Sequence, residues 1–150
     1  MREILFRGKA ANREDYRVYR TTYKNGYWVY GLLTDRENYL GYAEMTNEGG
    51  VQCIEVDKDT IGQFTGIYDK NGAKIFEGDI ISIMFETDGV DGFSGYSWYE
   101  TAEVVFSEEK HAWIVVFNDG GEEMYLSEYD DVDNVVVVAN IYDEPKPTNN

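Results

Sequence analysis

Short apolar runs, each soon interrupted by glycine, asparagine or acidic residues, set the rhythm of this chain. Tyr16 to Tyr23 ("YRVYRTTY") alternates Tyr and Val with Arg and Thr over its first half, the period-two pattern of a half-buried strand. Asn25-Gly26 follows and supplies the positive φ angles of a tight hairpin turn, after which Tyr27 to Leu33 ("YWVYGLL") returns as the partner strand. Val51 to Asp57 ("VQCIEVD") alternates again, with Val51, Cys53 and Glu55 on one face and Gln52, Ile54 and Val56 on the other. Further strands are predicted at Asp79 to Phe85, Thr101 to Phe106, Ala112 to Phe117, Glu123 to Leu126 and Val135 to Asp143. The links "SEEK" and "NDGG" are of hairpin length. No stretch sustains a helical period, although "LSEYDDVDN" has room for one turn of helix with Ser127 as its N-cap. Antiparallel strands joined by hairpins predict an all-β fold, a small barrel or sandwich.

Two segments depart from this pattern. Thr87 to Glu100 ("TDGVDGFSGYSWYE") holds Gly89, Gly92 and Gly95 and exceeds an ordinary hairpin loop, and loops of that length often carry function. The polar, proline-containing tail 144–150 is expected to fray. One domain is expected over residues 1–143, with a hairpin part to about residue 60 and a barrel-like part from about 61 to 143.

The central stretch "GQFTGIYDKNGAKIFEGDII" reads as a folding motif. Asn71-Gly72 marks a reversal, and Asp69 stands two residues ahead, where its carboxylate reaches the backbone of the turn. Gly78 lies between Glu77 and Asp79 just before a strand, a setting for an unusual backbone angle followed by a side chain that bonds nearby amides. Gly62 and Gly66 flank Gln63, Phe64 and Thr65 as a tight turn and short strand would. Neither G-x-x-x-x-G-K-[ST] nor G-x-G-x-x-G is present, so the glycines do not spell a phosphate cradle.

Charge changes the picture most. Thirteen Lys and Arg against 29 Asp and Glu give a net of −16, which opposes binding to nucleic-acid phosphate or to an anionic membrane. Residues 79–144 contain 17 acids and only one base, Lys110, so the imbalance sits in the C-terminal half. It forms either a solvated face that keeps the protein soluble or a surface that meets a basic partner. The bases Arg13, Arg17, Arg20 and Lys24 offer at most a small basic face. No apolar run approaches the roughly 20 residues of a membrane helix, and "MREILFRGK" lacks the apolar region of a signal peptide, so a cytoplasmic setting is expected. A single cysteine agrees with a reducing compartment.

Candidate chemistry is sparse. One Cys and one His are too few for the usual zinc sites, and no cofactor is implied. Asp130, Asp131 and Asp133 gather in "YDDVDN" without the calcium-loop pattern, and read as a solvated acidic turn, with divalent-cation binding or contact with a basic partner as the alternatives. Cys53 reads as a small buried residue of its strand rather than a nucleophile served by His111. Tyr96, Trp98 and Tyr99 follow the glycine-rich loop; either two of the three fill the core, or they form an aromatic anchor for a protein interface.

The central motif, with "FRGK" (Phe6 to Lys9), "GYWVYGLL" (Gly26 to Leu33) and "VVVVANIYDEP" (Val135 to Pro145), resembles the YopX family of bacteriophage and prophage proteins. The resemblance implies an all-β pseudo-barrel with a C-terminal part like a small SH3 barrel, and it brings no established biochemical activity with it. The spacing between "FRGK" and "WVYG" is longer here than is usual in that family. The expected function is therefore that of a phage or prophage accessory protein, a non-enzymatic module binding a basic host or phage protein through its acidic half. A self-assembling structural protein, a nucleic-acid mimic and a carboxylate-based hydrolase are the alternatives.

Overall fold

The computed structural model describes residues 3–11, 19–20, 27–44, 50–90, 92, 94–117, 123–129 and 134–143. The protein is all-β: among the described residues every regular element is a strand, apart from one 3-10 turn. Two compact units divide the chain, Met1–Gly66 with Tyr142–Asn150, and Ile67–Ile141.

The first unit is a ring. Strand β1 (Phe6–Ala10) pairs antiparallel with β3 (Tyr27–Leu33), β3 with β4 (Tyr39–Glu44), and β4 with β5 (Gly50–Tyr68). Strand β5 then returns to pair with β1, which closes the circuit. The pairing shifts between Arg7↔Gly62 and Lys9↔Asp57, so four residues of β5 lie opposite Gly8 alone. Thr60 holds this bulge: its Oγ1 accepts from the Lys9 N–H at 2.8 Å and donates to the Asp57 carbonyl at 2.6 Å. Extra residues on one strand bend it and raise its twist, which suits a closed ring of few strands. Val29, Leu40, Ile54 and Val56 form the core of this unit. Because Ile54 and Val56 face inward, the two-residue period turns Cys53 and Glu55 to solvent. Cys53 is thus exposed and not the buried residue the sequence suggested.

Strand β2 (Tyr19–Arg20) pairs antiparallel with β3 through Tyr19↔Trp28 and Arg20↔Tyr27, and the expected Asn25-Gly26 turn lies outside the described residues. So do Arg13, Arg17 and Lys24.

In the second unit, β6 (Lys74–Phe76) pairs with β5 beyond a turn closed by the Asp69 N–H on the Ala73 carbonyl. The remaining strands are β7 (Asp79–Glu86), β8 (Ser97–Ser107), β9 (Ala112–Phe117), β10 (Met124–Tyr125) and β11 (Val135–Asn140). They form an antiparallel sheet in the order β10-β9-β8-β7-β11. Its inner face carries Ile81, Ile83, Val104, Val115 and Val135, which pack with Ile75 and Leu126.

Boundaries differ from the sequence pattern in several places. Strand β5 runs on through Gly62 to Gly66, which pair with β1 or continue the strand, so the expected tight turn there is not formed. Pairing of β7 with β8 continues to Phe85↔Trp98 and Glu86↔Ser97, so Trp98 and Tyr99 belong to a strand and the loop shortens to residues 87–96. The 3-10 turn spans Leu126–Tyr129, which puts Ser127 inside it rather than at its cap. Leu126 is fully buried, and that burial sets where the turn begins. Among the described residues no helix is long and apolar enough to cross a membrane.

Candidate protein-interaction site

The glycines and acids of the central motif serve the backbone. Asp69, 6% exposed, accepts from Asn71 N–H and Ala73 N–H at Oδ1, both at 2.9 Å, and from Val137 N–H at Oδ2 at 3.0 Å. One carboxylate therefore both closes the turn and ties it to β11. Gly72 takes φ 82°, as the second residue of Asn-Gly turns commonly does. Gly78, at φ 87°, donates its N–H to Val104 O and accepts from Ile141 N–H, while the buried Asp79 accepts from Phe76 N–H at 2.8 Å. Glu77 is half-buried beside them. Gly62 pairs with Arg7 and Gln63 with Phe6, Phe64 and Thr65 are buried, and Gly66 takes φ 86°. Every donor in these contacts is a backbone amide, so the carboxylates act as internal acceptors for the fold.

Three sequence segments far apart along the chain meet inside the first unit. Trp28 is fully buried; its indole N–H donates to both oxygens of Asp143 at 3.2 Å. Lys9 Nζ lies 3.0 Å from Asp143 Oδ1 and donates to the Tyr142 carbonyl at 2.9 Å. The Arg7 guanidinium sits 4.5 Å from the Trp28 ring centroid. Lys9, the indole and the carboxylate satisfy one another there, largely away from water.

A different arrangement marks the second unit. Phe117 and Phe85 lie 6.0 Å apart, Phe85 stacks on Trp98 at 5.7 Å, and Trp98 meets Tyr96 at 5.6 Å. This aromatic ladder starts at the core and ends in solvent: Phe117 is 9% exposed, Trp98 38% and Tyr96 68%. Tyr99, on the other face of β8, is 70% exposed. None of the three candidate anchors fills the core, because β8 at this end runs beyond the buried centre of its sheet.

The neck of the 87–96 loop fixes Tyr96. Thr87 N–H donates to Tyr96 O at 2.9 Å, and Tyr96 N–H donates to Thr87 Oγ1 at 3.3 Å. A Cβ at Gly95 would collide with the Thr87 carbonyl, so the close approach of the two chains requires glycine there. Beside the neck lies an open groove of about 360 Å³, lined by Glu86, Thr87, Asp88, Gly95, Tyr96 and Ser97.

The family model described as YopX protein matches residues 15–147. This chain belongs to the YopX family. No curated protein and no solved structure matches it. The match takes in Trp28, the central motif, the aromatic ladder and Asp143; Arg7 and Lys9 stand ahead of it.

Electrostatics in this YopX-family chain separate the units as sharply as exposure does. Residues 67–141 hold 17 acids against Lys70, Lys74 and Lys110, and contain no arginine. Lys74 lies 5.8 Å from the Tyr68 ring, and Lys110 pairs with Glu123 at 3.3 Å beside Tyr125. Asp130, Asp131 and Asp133 lie outside the described residues. Among the described residues no group of three or more His, Cys, Asp or Glu is arranged to hold a metal ion. His111, at φ 51° in the exposed turn before β9, is far from a nucleophile-activating setting: the turn leaves it in solvent. The ladder itself was hidden from sequence reading because Phe85 and Phe117 join it only through the strand register; alternation along β7 and β8 was the available signal.

Proposed function

We propose that this protein is a non-enzymatic phage or prophage accessory protein that acts in the bacterial cytoplasm by binding a basic partner protein through its second unit. The observation that carries this reading is the aromatic ladder reaching solvent at Trp98 and Tyr96 within a unit of 17 acids and three lysines. Exposed Tyr and Trp rings bury large areas on contact and lose little side-chain entropy, which is why they serve as anchors at interfaces. Surrounding carboxylates accelerate encounter with a positively charged surface and reject anionic ones. The same charge opposes docking of a second copy on this face, so a heterologous partner is favoured over self-assembly.

Affinity capture from bacterial lysate at low and high salt tests the reading, with wild-type protein compared against the combined Tyr96→Ala, Trp98→Ala, Tyr99→Ala variant. A basic protein held at low salt, released at high salt and lost from the variant is the expected result. Retention of the same protein by the variant would place its contact elsewhere and refute the assignment. Reversing Asp130, Asp131 and Asp133 to lysine should weaken capture with the same salt sensitivity if the acidic turn helps to steer the partner.

A further inference from the structure

We propose that the end of the ladder is an arginine-accepting subsite, in which a guanidinium from the partner's docking segment stacks on Trp98 and Tyr96 and pairs with the Glu100 carboxylate. The inference rests on the partner-binding reading above and specifies its chemistry. Glu100 pairs with Ile83 across the sheet, one step inward from Phe85↔Trp98, and the two-residue period puts its side chain on the same face as Trp98. That face is otherwise apolar, carrying Ile83, Ala102 and Val104. Glu100 is half-buried, and among the described residues its carboxylate makes no hydrogen bond or ion pair. A carboxylate held partly out of water on an apolar face gains most from a cation that also tolerates partial desolvation.

The chain itself displays a related arrangement, in which the stacking cation and the carboxylate's cation are two different residues. In the first unit a guanidinium lies over Trp28 while that indole and Lys9 share the Asp143 carboxylate. In the second unit the ring and the carboxylate are present, but residues 67–141 supply no arginine, and Lys74 and Lys110 lie against other rings, those of Tyr68 and Tyr125. Arginine fits better than lysine because its planar, weakly hydrated guanidinium stacks on an aromatic face and still presents N–H groups in a fork to a carboxylate. A phosphate-bearing ligand would meet Glu86, Asp88 and Glu100 with the wrong sign.

The test titrates the full chain with a hexapeptide of alternating glycine and arginine, and with its lysine and citrulline counterparts, by calorimetry and by the indole N–H resonances. Arginine peptide binding about tenfold tighter than lysine peptide, none measurable for citrulline, and a shift of the Trp98 indole resonance are expected. Glu100→Gln, Trp98→Ala and Tyr96→Ala should each lose roughly five- to tenfold. Tyr96 is mostly exposed, so its variant reports binding even if Trp98→Ala disturbs the strand. Equal affinity for arginine and lysine peptides, unmoved by the three variants, would overturn the subsite and leave the basic-partner reading standing. Failure of every peptide together with failure of the lysate capture would overturn both.

Discussion

Two tryptophans, one in each unit, have opposite fates. Trp28 is enclosed by a closed ring of strands and has its indole, its face and its neighbouring charges satisfied by Arg7, Lys9 and Asp143. Trp98 stands at the end of an open sheet, stacked on Phe85, in contact with Tyr96 and partly exposed to water. The lesson is that aromatic and charged residues of the same kinds make a structural knot where strand closure supplies their partners, and a solvent-exposed aromatic surface where it does not.

Truncating the two rings gives the widest test of that contrast. Trp28→Ala should cost about 4 kcal/mol, the range for removing a fully buried large aromatic side chain. Hydrogen exchange resolved by unit would show the loss in the first unit, and a cost near that of a surface change would sink the enclosed-knot description. Next in size is Asp143→Ala, expected to cost about 3 kcal/mol because the Lys9 ammonium and the Trp28 N–H lose a shared buried acceptor. Replacing Lys9 by Met in that background should lower stability no further, which urea unfolding can check. In the second unit, Asp69→Ala removes the acceptor of three backbone amides and should cost about 2 kcal/mol, seen as faster exchange at Asn71, Ala73 and Val137. Smallest of all, Tyr96→Ala should change stability by less than about 0.5 kcal/mol while weakening partner capture, and Trp98→Ala by less than about 1.5 kcal/mol. A large loss of stability from Tyr96→Ala would make that ring a core residue and erase the comparison.

Local chemistry explains what the sequence made legible. Asn71-Gly72 behind Asp69, and glycine at position 78 before Asp79, prescribe their turns through backbone angle and side-chain reach, so their roles were readable within a few residues. The all-β class followed in the same way from alternation and short links. Ring closure was not readable, because it depends on β1 meeting both β3 and β5, and no local preference encodes that double pairing. Cys53 shows the limit at a single position: alternation divided its strand into two faces correctly, but Cys53 was read as buried and its face is the exposed one. Trp28 and Asp143 are 115 residues apart, and nothing near either predicts the other. Of the proposed interaction site, Tyr96, Trp98 and Tyr99 were visible as a cluster, whereas Glu100 stood out only once the register put it beside Trp98 on an apolar face.

The bond between Lys9 and Asp143 has a further consequence, for the order in which the molecule is made. The second unit is continuous from Ile67 to Ile141, whereas the first is assembled from segments on both sides of it. Trp28 is made 115 residues before the carboxylate that its indole meets. The first unit is therefore expected to complete its core only after the whole of the second has been made. The part of the chain that is made first is thus not the part that can finish folding first.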